Sequence, residues 1–102
     1  MQNDNTTAFL STILASTEDF WGATFKADGL TYEEPKLVLF SGMIGTDCGV
    51  VSGSSYCAKD HKIYVDPTFA ELQKIGANGE LAQALIITRE VAYHVQNIAA
   101  EM

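Results

Sequence analysis

The residues with chemistry to offer are few. They lie mainly in Arg89-Glu90-Val91-Ala92-Tyr93-His94, inside an apolar stretch that starts at Glu80 and runs to about Ala100. At helical pitch Arg89 and Tyr93 are one turn apart on one face, and Glu90 and His94 repeat that spacing beside them. A carboxylate and an imidazole one turn apart are two of the three protein ligands that a catalytic zinc needs. His61, the other histidine, is the remaining candidate ligand. The bland role for His94 is a packed, hydrogen-bonded side chain on the helix flank. Cys48 and Cys57 stand nine positions apart. They could close a small loop in an oxidising compartment or remain thiols in the cytosol. Neither has the histidine neighbours of a zinc site or of a nucleophile.

Three kinds of element must position these groups. Phe9, Leu10, Ile13, Leu14, Phe20, Trp21 and Phe25 recur at helical spacing from about Thr6 to Lys26. Asp4 or Asn5 suits the cap, Gly22 weakens the middle, and Asp28-Gly29 ends the helix. The three aromatic residues Phe20, Trp21 and Phe25 are expected in the core. Pro35 opens a strand of apolar residues through Phe40. Residues 41–56, rich in Gly, Ser and Thr, read as an irregular loop with a hairpin. Residues 62–66 alternate like a half-buried strand. Asp66 and Pro67 suit the cap and first turn of a short helix through Ile75, with Gly76 and Gly79 as punctuation. The last helix is apolar nearly all round, so it is expected to be buried or covered by a partner.

Three colinear blocks resemble the neutral zinc metallopeptidase family over about residues 33–99. The first is Pro35-Lys36-Leu37-Val38-Leu39-Phe40-Ser41-Gly42, followed by Thr46-Asp47-Cys48-Gly49. The second runs from Tyr56-Cys57-Ala58-Lys59-Asp60 to Asp66, and the third from Leu81-Ala82-Gln83-Ala84 into Arg89–Asn97. The resemblance implies a zincin-like scaffold over 33–99; with the N-terminal helical segment over 1–32 the expected architecture is α+β, a short sheet of about three strands and a long C-terminal helix, in a single domain over 1–102. It also implies that Cys48 and Cys57 correspond to the family's crosslink.

The family's activity rests on H-E-x-x-H, where two imidazoles share one zinc and the glutamate works on the metal-bound water. Here those five positions are Arg89, Glu90, Val91, Ala92 and Tyr93. Arginine offers only donors and cannot ligate a cation. The family's third ligand has no counterpart within these 102 residues. The motif is degenerate, so no catalytic residues, metal ligands or cofactors are expected. Arg89 is expected to stand in electrostatically for the ion, paired with Glu90 or Asp66 and stacked on or bonded to Tyr93. The alternative is an arginine that simply points to solvent.

Thirteen acidic residues against six basic ones give a net charge of −7. A phosphate backbone is repelled, so direct nucleic-acid binding is excluded, and no apolar run approaches the ~20 residues of a membrane helix. Residues 1–50 carry seven acids against Lys26 and Lys36, a balance of −5. Glu18, Asp19, Glu33 and Glu34 are the candidate docking residues for a protein with a basic surface. The expected function is a catalytically inactive, protein-binding descendant, cytoplasmic in the absence of a leader, acting as an inhibitor or anti-defence protein of a mobile element. A homodimer that re-covers apolar surface is a second candidate partnership. The competing function is a zinc metallopeptidase with a site rebuilt from Glu90, His94 and a third ligand such as His61.

Overall fold

Apolar side chains every three or four positions make residues 4–27 a helix with one core-facing stripe. The computed structural model describes residues 4–66 and 79–102. Helix α1 spans Asp4–Ala27 and buries Leu10, Leu14 and Phe25, with Ile13 and Trp21 packed at the margin. The hydroxyls of Thr12, Ser16 and Thr24 donate to carbonyls four residues back, which satisfies them within the helix. Termination follows from Gly29, whose φ of 76° is open to glycine at no steric cost. Leu30 N–H then reaches Phe25 O at 2.9 Å and Gly29 N–H reaches Lys26 O at 3.0 Å, a paired closure that satisfies the end carbonyls.

Five short strands follow: β1 (Lys36–Leu39), β2 (Met43–Thr46), β3 (Gly49–Ser52), β4 (Ser55–Cys57) and β5 (Lys62–Val65). The main sheet has the order β1-β5-β4. β5 is parallel to β1, with Leu37 opposite Ile63, and antiparallel to β4, with Tyr56 opposite Ile63. The expected three-stranded sheet is therefore present. The Gly-rich stretch adds an antiparallel hairpin, β2–β3, as a second small sheet. Cys48 at its turn is disulfide-bonded to Cys57 of β4, so the free-thiol alternative is not the state seen.

One expectation is corrected at β5. Its alternation predicted a half-buried strand, yet Ile63, Tyr64 and Val65 are all buried because β5 is central. Tyr64 tolerates this because its hydroxyl donates to Asp60 Oδ2 at 2.6 Å. The short helix expected after Pro67 lies outside the described residues. Helix α2 spans Gly79–Glu101 and packs against α1, β4 and β5.

The composite core is Leu10, Leu14, Ile63, Val65, Ile86, Ile87 and Val91. Of the two expectations for α2, burial on every side within this chain is not what the structure shows. Ile86, Ile87, Glu90, Val91, His94 and Ile98 face inward, whereas Leu81, Leu85 and Tyr93 are about half exposed. Phe20 likewise leaves the expected core: it is 61% exposed and edge-on to Trp21 at 5.0 Å. The architecture is α+β, two helices against a small mixed sheet. Among the described residues no helix is long and apolar enough to cross a membrane.

Candidate functional site

The inward face of α2 carries two ionisable side chains into the core, Glu90 at 2% exposure and His94 at 0%. Burying a carboxylate requires a partner. Arg89 is one: its Nε and Nη2 donate to Glu90 Oε2 at 2.9 and 2.7 Å. The guanidinium therefore turns back onto the neighbouring carboxylate, with its side chain 42% exposed. The solvent-pointing alternative for Arg89 is overturned, and the expected charge pairing is with Glu90. Asp66 instead accepts from Gly42 N–H at 2.9 Å, which anchors the entry to the hairpin. A cavity of ≈ 360 Å³ lies beside the pair, lined by Ser54, Ser55, Tyr56, Arg89, Glu90 and Tyr93. Tyr93 is half exposed on its rim.

His94 sits one turn on and is fully engaged. Its Nε2 lies 2.6 Å from the backbone carbonyl of Glu33, which only accepts, so Nε2 carries the proton and donates. Nδ1 is then free to accept from the Tyr56 hydroxyl at 2.6 Å. Asn97 donates to that same hydroxyl at 3.1 Å and to Ala58 O at 3.3 Å. Burial lowers the His94 pKa below its ordinary value. The nearby His61 charge adds to this, and the carbonyl bond opposes it. A neutral imidazole satisfies every atom of the network.

His61 is the opposite case. Its Nδ1 is bonded to a Glu33 carboxylate oxygen, and its Nε2 lies 3.3–3.4 Å from the carboxylate of Glu101 at the end of α2. Both neighbours accept, so the contacts favour a proton on each nitrogen and the cationic form of the ring. The Glu33 bond raises its pKa against the opposing effect of burial, and Glu101 raises it further. The two imidazoles lie edge-on, 5.5 Å apart. The surroundings favour charge on His61 and disfavour it on His94.

The four candidate docking acids are placed as follows. Glu33 bridges to His61 while its side chain stays 61% exposed. Glu18 has its carboxyl pKa raised by burial, then by Glu34 and Asp19. Tyr56, Asn97 and Glu101 were missed by sequence reasoning. Asn97 had a visible signal, because it lies three residues after His94 and so shares its helix face. The pairing of His94 with Tyr56 and with the Glu33 carbonyl had none.

Residues 1–100 match the model of the family described as "Putative neutral zinc metallopeptidase". The chain belongs to this family. It is 43% identical over 100 residues to the Escherichia coli (strain K12) "Uncharacterized protein YpfJ", covering 93% of this chain and 35% of that protein. It is 36% identical over 73 residues to the Mycobacterium bovis "Uncharacterized protein Mb2605", covering 66% of this chain and 25% of that one. The chain thus spans about a third or less of the length of these relatives. No solved structure matches it.

The family implies a zinc ion, and the residues at its two histidine positions do not fit one. The first offers the guanidinium of Arg89, tied to Glu90, and the second the half-exposed phenol of Tyr93. The alternative set of Glu90, His94 and His61 fits no better. Both nitrogens of each imidazole are already committed to other partners, and the Glu90 oxygen facing Arg89 is occupied. Among the described residues no group of three or more His, Cys, Asp or Glu side chains is arranged to hold a metal.

Proposed function

We propose that this chain is a non-hydrolytic member of its family that works by binding another protein. One observation carries the reading: Glu90, the residue that would act on a metal-bound water, is buried at 2% exposure and held by the Arg89 guanidinium 2.7 Å away. A carboxylate so paired is a poor general base. An arginine in place of the first imidazole also supplies a fixed positive charge where the family places its ion. The helix is thereby stabilised without metal, and its function shifts to its surface. Support for a protein partner comes from the net charge of −7 and from Leu81, Leu85 and Tyr93 on the outer face of α2.

Within that reading, an inhibitor that occupies a basic surface is the narrower form, and a mobile-element or anti-defence role is one setting for it. The Cys48–Cys57 bond favours an oxidising compartment over the cytoplasm as the place of action. The test combines elemental analysis of purified protein with a peptidase assay, each with and without added zinc and chelator. Substoichiometric metal and no chelator-sensitive cleavage are expected. Stoichiometric zinc with chelator-sensitive cleavage would establish the competing metallopeptidase instead.

A further inference from the structure

A line of aromatic rings in edge-on contact crosses the molecule. Trp21 meets Phe25 with centroids 6.5 Å apart, Phe25 meets Tyr32 at 5.2 Å, Tyr32 meets His94 at 5.9 Å, and His94 meets Tyr56 at 5.3 Å. One end is reachable from outside, because Trp21 is only partly buried at the margin of the core. The other end, Tyr56, lines the ≈ 360 Å³ cavity beside α2. Edge-on geometry is what aromatic packing favours, so the contacts alone carry no function. The hydrogen bonding of the two phenols does.

Tyr32 and Tyr56 differ in where a proton could go. The Tyr32 hydroxyl is buried with no hydrogen-bond partner among the described residues. Taking an electron from that ring would create a buried cation with no acceptor for its proton, which is costly. The Tyr56 hydroxyl donates to His94 Nδ1 at 2.6 Å, within reach of direct proton transfer. Nδ1 can take that proton because the other one on the ring stays on Nε2, bonded to the Glu33 carbonyl. Asn97 donates to the same phenol oxygen at 3.1 Å, a bond that survives loss of the phenol proton. An oxidised phenol is a far stronger acid than an imidazolium. Its proton therefore moves to His94 even though burial and the nearby His61 disfavour charge there. Tyr64 also has an acceptor, the Asp60 carboxylate, but among the described residues it has no ring contact with the line.

We propose that these rings form a one-electron relay, in which a peroxide-derived radical oxidises Trp21 and the vacancy settles on Tyr56 as a neutral phenoxyl radical while the phenol proton crosses to His94. The balance closes within the chain. One electron passes from the indole to the oxidant, and one from the Tyr56 ring refills the indole across Tyr32 and Phe25. The O–H bond of Tyr56 is exchanged for an N–H bond at His94 Nδ1. A one-electron reductant of the ascorbate class, entering the cavity beside Tyr56, returns the electron, and the proton returns from His94. The relay makes no use of Glu90 or of a partner protein, so it stands apart from the binding reading.

The test is flash photolysis with tris(bipyridine)ruthenium and persulfate, followed by transient absorption and freeze-quench electron paramagnetic resonance. All samples carry Tyr93→Phe, because Tyr93 is half exposed and open to direct oxidation. A tyrosyl radical is expected to grow in as an indole radical decays. Tyr56→Phe should abolish the tyrosyl signal and leave the indole radical long-lived. Trp21→Phe should also abolish it, by removing the outer station. His94→Gln, which keeps an acceptor but is no base, should suppress it as well. Since that change also disturbs the core, the intact pair is measured in heavy water, where tyrosyl formation should slow because a proton moves with the electron. A tyrosyl signal that survives Tyr56→Phe, a yield unchanged by Trp21→Phe, or equal formation rates in light and heavy water would each overturn the relay.

Discussion

Removing the Arg89 cation is the sharpest probe of how α2 carries a buried carboxylate. Two unit charges 2.7 Å apart attract by about 6 kcal/mol at an effective dielectric of about 20. The 42% exposure of the Arg89 side chain screens much of that, and desolvation of Glu90 offsets more. A net loss of about 2 kcal/mol is expected for Arg89→Met, or roughly 10 °C in melting temperature for a domain of this size. The loss should depend on pH. A Glu90 left buried without its guanidinium takes up a proton rather than stay charged, so its folded-state pKa in the variant lies above the unfolded value. Such a shift costs nothing below the unfolded pKa, and the cost grows as pH rises toward the folded one. Arg89→Met should therefore be close to wild type near pH 4 and most destabilised near pH 8. Urea denaturation at both pH values measures this, with Glu90→Gln and the double variant completing a cycle. If Arg89→Met costs under about 0.5 kcal/mol at pH 8, or as much in the presence of Glu90→Gln as in its absence, the electrostatic stand-in is wrong.

The remaining predictions follow from the imidazole pair and the crosslink. His94→Ala removes a fully buried ring and orphans the Glu33 carbonyl, and should cost about 3 kcal/mol by thermal or urea denaturation. NMR titration should find His61 losing its proton above the ordinary value of 6.5 and His94 gaining one only below it. The stability contributed by His61 is complete below pH 6.5 and disappears as pH rises through its raised pKa. That contributed by neutral His94 is complete above pH 6.5 and disappears as pH falls through its lowered pKa. Glu33→Gln/Glu101→Gln should return the His61 titration toward 6.5, and an unmoved midpoint would dismiss the two-carboxylate bridge. Cys48→Ser/Cys57→Ser opens a short loop and should cost about 2–3 kcal/mol in denaturant, a figure that intact hairpin protection against hydrogen exchange would contradict.

Local pattern was enough to place the elements. The 3.6-residue recurrence from Leu10 to Phe25, the Asp28-Gly29 stop and the Pro35 entry to β1 are short-range effects of sterics and burial, and each appears where the residues indicate. Arg89 and Tyr93 in the metal-binding positions were legible for the same reason, because one turn of helix fixes who neighbours whom. Composition misled wherever burial depends on what packs opposite. Phe20 and Leu85 are as apolar as their buried neighbours, but among the described residues no element covers them. β5 alternates in sequence, yet Ile63, Tyr64 and Val65 are all buried, because a central strand has neighbouring strands at both edges and packed elements over its side chains.

Sequence by itself determined the family, the loss of two imidazoles on α2, the helices and the acidic balance. Tertiary structure decided what the surviving ionisable groups do. It brought Tyr56 and the Glu33 carbonyl onto His94 from positions 38 and 61 residues away, and Glu101 onto His61 from 40 away. It also brought the rings of Trp21, Phe25, Tyr32, His94 and Tyr56 into one line of contact. Hydrogen-bond partners and solvent exclusion at such separations are set by three-dimensional packing. No periodicity along the chain encodes them.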